Sequence, residues 1–316
     1  VCSSDLSIMT NIKKIGFSAL AGSLVATSAF AGALDVTGAA KLTYVSQDET
    51  ETTGNPYSMS KGITFAGSGD LDNGMTINYS YTMSDAAFSS SSLKLDMGDM
   101  GVASFGSESS PHGINAFTDK MPTAGEQVWD DLDGQANGLA EIEDAGILGY
   151  GNSIGSVGVS VSYQPGGTGM SESSKSGVVS IDPVDGVSLF LGMGDKAGAS
   201  VNTGTDLMTM GGTYTAGAIT AGLQLTDVDV SAVNGDSDRT HAAISFAVNE
   251  NMSVSFGMST IEFENTAKVD QEDSGFAVSY TMGSMTVAAF ANASDNVSGT
   301  SGTDDSVKEV SIAFAF

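Results

Sequence analysis

The sequence predicts an all-β chain, a transmembrane antiparallel up-and-down β-barrel of about sixteen strands. Three observations predict it. Apolar residues alternate with small or polar ones at period two through most of the chain. The opposite face of these segments carries Ser, Thr, Gly and Ala, where a soluble sandwich would turn Lys, Glu and Arg to water. Short turns alternate with longer polar stretches, the layout of a barrel whose two rims differ.

The elements follow in chain order. Met9-Thr10-Asn11-Ile12-Lys13-Lys14 is a cationic leader, Ile15 to Phe30 is a small apolar run, and Ala29-Phe30-Ala31 has the form of a cleavage site. Residues 9–31 are therefore expected to be a cleaved export signal, with the mature chain, 32–316, beginning at Gly32 as one barrel domain. Residues 1–8 do not fit ahead of such a signal and are read as non-native or mis-called. Cys2, the only cysteine, falls among them, so no disulfide framework or thiolate metal site is expected.

The strand signals come next. Met75, Ile77, Tyr79, Tyr81 and Met83 alternate with Thr76, Asn78, Ser80 and Thr82. Val157, Val159, Val161 and Tyr163 form a second such face, and Val187, Leu189 and Leu191 a third. Further faces are Ile219 to Leu225, Ala242 to Val248, Met252 to Met258 and Phe276 to Tyr280, each in steps of two. One face is apolar enough for lipid, and the other is small and polar, as a wet lumen requires. Turn chemistry recurs at Leu71 to Gly74, Asp96 to Gly101, Asn152 to Ser156, Pro183 to Gly186, Thr215 to Ala218, Asn249 to Asn251 and Met282 to Ser284. Longer polar stretches lie near 46–58, 84–90, 107–142, 164–175, 194–205, 226–238, 262–273 and 293–304. At the end, Val310, Ile312, Phe314 and Phe316 share one face, with Ser311, Ala313 and Ala315 on the other.

Composition narrows the function. The chain has 11 basic and 38 acidic residues. Removing Lys13, Lys14 and Asp5 with the leader leaves 9 of the 11 bases and 37 of the 38 acids, a net of −28. That charge excludes nucleic acid as a partner. Charged residues make up 16%, low for a soluble globular chain. After the leader no apolar run is long enough for a membrane helix.

On this architecture the chain resembles the Gram-negative general diffusion porins: a leader, a first strand directly after it, sixteen strands, and a last strand ending on Phe316. The resemblance implies a water-filled outer-membrane channel for small hydrophilic solutes and ions. It also implies a homotrimer, contact with the bilayer and lipopolysaccharide, and delivery by the outer-membrane assembly machinery, which would read Ile312, Phe314 and Phe316. The stretch from Ser107 to Glu143, between strands 5 and 6, stands where the family's long constriction loop folds into the pore. It holds Glu108, Asp119, Glu126, Asp130, Asp131, Asp133, Glu141 and Glu143 against Lys120, its only base. Ser110-Pro111-His112-Gly113 stands where the loop turns inward. The Pro-Glu-Phe-Gly-Gly motif of enteric members is missing, and the second long loop is too short for their subunit latch. Strand parity points Lys41, Lys94 and Arg239 into the lumen as pore wall, and Lys61 and Lys308 toward the lipid rim. The acidic loop predicts mild cation selectivity.

Other chemistries fit less well. His112 and His241 are read as exposed loop or rim residues, with no oriented serine partner. Asp304-Asp305 and Gln271-Glu272-Asp273 lack the spacing of a calcium loop and are read as solvated charge. Gly151, Gly155 and Gly158 imitate a nucleotide fingerprint with no βαβ unit around them. Trp129 would line the constriction or pin the loop to the wall. No enzyme, cofactor or metal is expected. A substrate-selective channel would show an aromatic ladder or arginine track, and an adhesive barrel would carry larger outer domains; the sequence has neither.

Overall fold

Sixteen antiparallel strands follow one another around a ring, and β1 closes it against β16. The computed structural model describes residues 34–47, 55–85, 87–108, 110–134, 142–143, 145–167, 172–198 and 204–316. The expected export signal at 9–31, the residues before it, and Glu141 lie outside these. The strands are β1 (Asp35–Gln47), β2 (Tyr57–Asp70), β3 (Thr76–Ser84), β4 (Ala87–Asp96), β5 (Val102–Gly106), β6 (Ile147–Ile154), β7 (Val157–Gln164) and β8 (Ser174–Val184). The ring continues with β9 (Val187–Ala197), β10 (Gly204–Ala216), β11 (Ile219–Val230), β12 (Ser237–Asn249), β13 (Met252–Phe263), β14 (Gln271–Met282), β15 (Met285–Asp295) and β16 (Asp305–Ala315). No helix among the described residues is long and apolar enough to cross a membrane. Strands closed into a ring pair their edges with one another, which is what crossing a bilayer without a helix would require.

One rim carries the connections 71–75, 97–101, 155–156, 185–186, 217–218, 250–251 and 283–284, all at the expected turns. The other carries 48–56, 85–86, 107–146, 165–173, 198–203, 231–236, 264–270 and 296–304. Several of these are shorter than the polar stretches in the sequence. The strands run on past the apolar belt with acids on their outer faces: Asp195 pairs with Asp206, Asp206 with Asp229, and Asp227 with Asp238. The stretch near 84–90 reduces to residues 85–86, with Asp85 at φ +55° and a register shift between Thr82 and Met83.

Outward faces follow the predicted alternation. Leu189, Leu191, Met193, Met208, Met210, Leu223, Leu225, Ile244, Phe256 and Phe276 all stand exposed on the outside of the sheet. The inward face departs from the expectation of a uniformly small, polar lumen. Val178, Phe190, Leu207 and Val228 point inward and are buried, as are Ala277, Phe290 and Val307. They are covered by the segment between β5 and β6, so this barrel has a core inside it.

Candidate pore constriction

Between β5 and β6, the described residues 110–134 and 142–143 run along the inside of the ring, held by the wall's small polar residues. Ser110 Oγ accepts the His112 amide at 3.1 Å. Gly113 follows with φ +80°, a backbone conformation that L side chains rarely adopt. A Cβ there would also collide with the hydroxyls of Ser162 and Ser176, so the loop turns along the wall where only glycine fits. The next two amides are taken by wall serines: Gly113 N–H by Ser160 Oγ and Ile114 N–H by Ser176 Oγ, both at 2.9 Å. Farther along, Ser255 Oγ accepts the Ala124 amide at 2.8 Å. Asn292 Nδ2 donates to the carbonyls of Gln127 at 2.8 Å and Asp130 at 3.1 Å. Asp305 Oδ2 accepts the Asp133 amide at 2.6 Å. Asn115 joins the loop's two arms, receiving the Ile142 amide at 3.0 Å and donating to the Glu143 carbonyl at 3.2 Å. These bonds satisfy irregular backbone that would otherwise be buried unpaired.

Apolar packing does the rest. Ile114, Met121 and Ile142 of the loop pack with Val178, Phe190, Leu207 and Val228 of the wall. Ala124 packs with Ala277, Phe290 and Val307, with Leu132 alongside. Trp129 meets His241 of β12 edge-on, which pins the loop to the wall.

With that side of the wall covered, the loop's acidic edge looks toward β1 and β2. Asp119, Glu126, Asp130 and Asp131 line a cavity of about 730 Å³ with Lys41, Thr43, Ser58, Ser60 and Glu309 of the wall. Lys41 Nζ lies 3.2 Å from Glu126 Oε1 and 2.8 Å from Glu309 Oε1. The second contact is an ion pair by distance, without the alignment of a hydrogen bond. Asp130 Oδ2 accepts the Gln127 amide at 2.6 Å. Burial pushes the Asp130 carboxyl up to about 6, with Glu126, Asp119 and Asp131 adding to the rise and the Gln127 amide opposing it.

The other predicted site residues fall elsewhere. Lys120 lies with its Nζ 4.8 Å from the Phe117 ring centroid. Asp133 is exposed beyond the Asp305 contact. Lys94 is inward, in a separate cavity of about 220 Å³ with Asn78, Ser80 and Ser92. Arg239 is on the inward face of β12, in register with Thr226 and Ile261, with Nε donating to Ser237 Oγ at 3.1 Å. It is two residues from the Trp129–His241 contact and does not line the Lys41 cavity. Ile312 is in register with Leu42 and Phe314 with Ala40, and Phe316 exchanges two backbone hydrogen bonds with Gly38.

Three expectations need correction. His241 is buried on the inner wall, not exposed, because Trp129 and the loop cover it. His112 is half-buried against Gly149 and Gly151, where the missing side chains leave room for its ring, and burial with nearby Lys94 lowers its pKa. Asp273 and Asp305 are buried, not solvated. Asp273 accepts from Ser294 Oγ at 2.6 Å and Gln271 Nε2 at 3.0 Å. Glu309 and Asn292 went unremarked in the sequence. For Glu309 the signal was there: it has the parity opposite to lipid-facing Lys308.

Three kinds of comparison bear on this geometry. A family model described as Gram-negative porin matches residues 17–316. No curated protein matches the sequence itself. Among solved structures, a porin refined at 1.8 Å superposes with a TM-score of 0.70 at 15% identity, covering 90% of this chain and 100% of the other. An anion-selective porin from Comamonas acidovorans gives 0.66 at 13% identity, covering 90% and 99%. OmpT, an outer-membrane protein of Vibrio cholerae, gives 0.66 at 12% identity, covering 90% and 97%.

Proposed function

The chain belongs to the Gram-negative porin family, an outer-membrane channel that crosses the bilayer by its sixteen strands, and from that premise we propose that it passes small hydrophilic solutes with a mild preference for cations. The observation that carries the preference is the cavity between loop and wall. Among the described residues, five carboxylates line it (Asp119, Glu126, Asp130, Asp131 and Glu309) against the single ammonium of Lys41. Fixed charge on low-dielectric walls focuses its field into the narrow space. The Debye length at ordinary ionic strength is about 8–10 Å, so salt weakens this field without removing it.

Lys94 and Arg239 add positive charge to the wall away from this cavity, which keeps the preference mild. Export would use residues 9–31. Assembly would use the last strand, with Ile312, Phe314 and Phe316 read by the insertion machinery. The mature protein would work as a homotrimer among lipopolysaccharide, its long-loop rim outward from the cell.

The test is a reversal potential across a KCl gradient in a planar bilayer. Cation preference is expected, strongest in dilute salt and reduced when Asp119, Asp130 and Asp131 become Asn. An anion-selective sign in the unmodified protein would overturn the reading. It would show that the wall bases dominate.

A further inference from the structure

We propose that Glu309 is a specificity-determining residue: it neutralises Lys41 on the wall, so that the loop carboxylates act on passing ions without an opposing base. The proposal rests on the channel reading above and adds to it which wall residue sets the balance of charge.

The geometry distinguishes the two carboxylates that touch Lys41. Glu309 is the nearer, at 2.8 Å, and its side chain is only 6% exposed; Glu126 is at 3.2 Å and 44% exposed. A carboxylate so withdrawn from water is costly to leave without donors or a cation, and Lys41 is the cation beside Glu309, whereas an exposed carboxylate is solvated without help. Lys41, itself 32% exposed, is therefore committed to Glu309, and its contact with Glu126 is the weaker, screened one. Both Lys41 and Glu309 stand on inward positions beside the β1–β16 seam, with Val45 facing Glu309 and Ser60 facing Lys41. In the absence of Glu309 the wall would present an uncompensated ammonium to the loop across the cavity. With it, wall and loop together present an excess of negative charge.

The experiment is the potassium-to-chloride permeability ratio, from reversal potentials in dilute KCl, for the unmodified protein, E309Q, K41M and the double variant. E309Q should lower the ratio by roughly two- to fivefold, the range a partly screened ion pair commands. K41M should raise it by a similar factor. The double variant, which removes both charges, should return close to the unmodified value. If E309Q leaves the ratio unchanged, or if the double variant keeps the full shift of K41M, Glu309 does not set the ion preference and the proposal falls. Should either single variant fail to assemble with its partner left unpaired, the double variant, which strands neither charge, carries the test alone: a ratio close to the unmodified value is expected, and a ratio clearly raised would show that Lys41 acts on the cavity unneutralised and would overturn the proposal. The sign of the unmodified protein tests the cation-selective reading separately. The pattern among variants tests Glu309 whichever sign that is.

Discussion

Trp129 of the inner loop and His241 of β12 meet with ring centroids 4.5 Å apart and planes at 74°, an edge-to-face contact between a loop and the wall it covers. His241 is 1% exposed, and among the described residues neither ring nitrogen has a hydrogen-bond partner. The loop is thus held here by aromatic packing and not by a polar bond. W129A should weaken loop docking by about 2 kcal/mol, below the cost of a fully buried tryptophan because Trp129 is partly exposed. Faster protease cleavage within 110–134 with an intact barrel is the expected result. An unchanged cleavage rate would mean that the serine and asparagine bonds hold the loop unaided.

Those bonds depend on where the loop turns, at Gly113. G113A would force a side chain into φ +80° and against Ser162 and Ser176. The amides of Gly113 and Ile114 would then lose Ser160 and Ser176. The expected outcome is a barrel that still assembles but conducts differently, the loop being displaced from the wall. Single-channel conductance measures it, and a current identical to that of the unmodified protein would contradict the assigned role of this turn.

How far the fold was legible follows from which face a residue takes. Leu189 and Leu191 meet lipid, so their alternation declares the strand. Phe190 between them breaks the expected small, polar lumen because a separate segment, forty or more residues distant in the chain, covers it. Nothing local marks such a position. The strand ends were blurred for a related reason: Asp195, Asp206 and Asp227 are outward residues above the apolar belt, and polarity there mimics a loop. The loop's acids were visible as a cluster, yet their partners were not. Parity identifies Lys41 as inward, but only the fold brings it to Glu309 and Glu126. His241 sits on a strand end beside a polar stretch and reads as rim until the loop is laid over it.

Acid should blunt the ion preference. Asp130 ionises at about 6, so it is largely charged above that value and neutral below it. His112, held below its ordinary value by burial and Lys94, gains positive charge lower in the same descent. Both changes make the loop less negative, so the potassium-to-chloride ratio should fall as pH drops from about 8 to about 5, with the step near Asp130's value. The effect on docking has the opposite sign for Asp130. Its pKa in the docked loop lies above the ordinary 3.8, so its favourable contribution to docking is present in acid and lost as pH rises through about 6. In D130N the step near 6 should vanish while any contribution from His112 remains. A step of unchanged size in D130N would assign it to another group.

The last prediction concerns the seam. Phe316 N–H donates to the Gly38 carbonyl at 2.9 Å, and the Gly38 amide returns a bond to the Phe316 carbonyl at 2.5 Å. From there the register runs upward through Ala39–Ala315, Ala40–Phe314 and Leu42–Ile312. A Cβ on Gly38 would lie 2.8 Å from the Phe316 ring, so the glycine leaves the space that the terminal aromatic occupies. Deleting Phe316 removes both backbone bonds at the base of the seam and leaves the Gly38 groups to water or lipid. An open edge is costly in a bilayer, because nothing in hydrocarbon replaces a lost strand partner. The deletion should therefore lower outer-membrane yield several-fold and lower the temperature at which the folded form shifts to the unfolded one on a gel. G38V should lower that temperature with a smaller loss of yield, since it crowds the ring but keeps the terminal residue that the assembly machinery would read. The two variants thus separate the strength of the seam from recognition of the last strand. Normal yield on deleting Phe316 would refute the recognition role, and an unshifted transition in G38V would show that the ring's position beside Gly38 contributes nothing to closure.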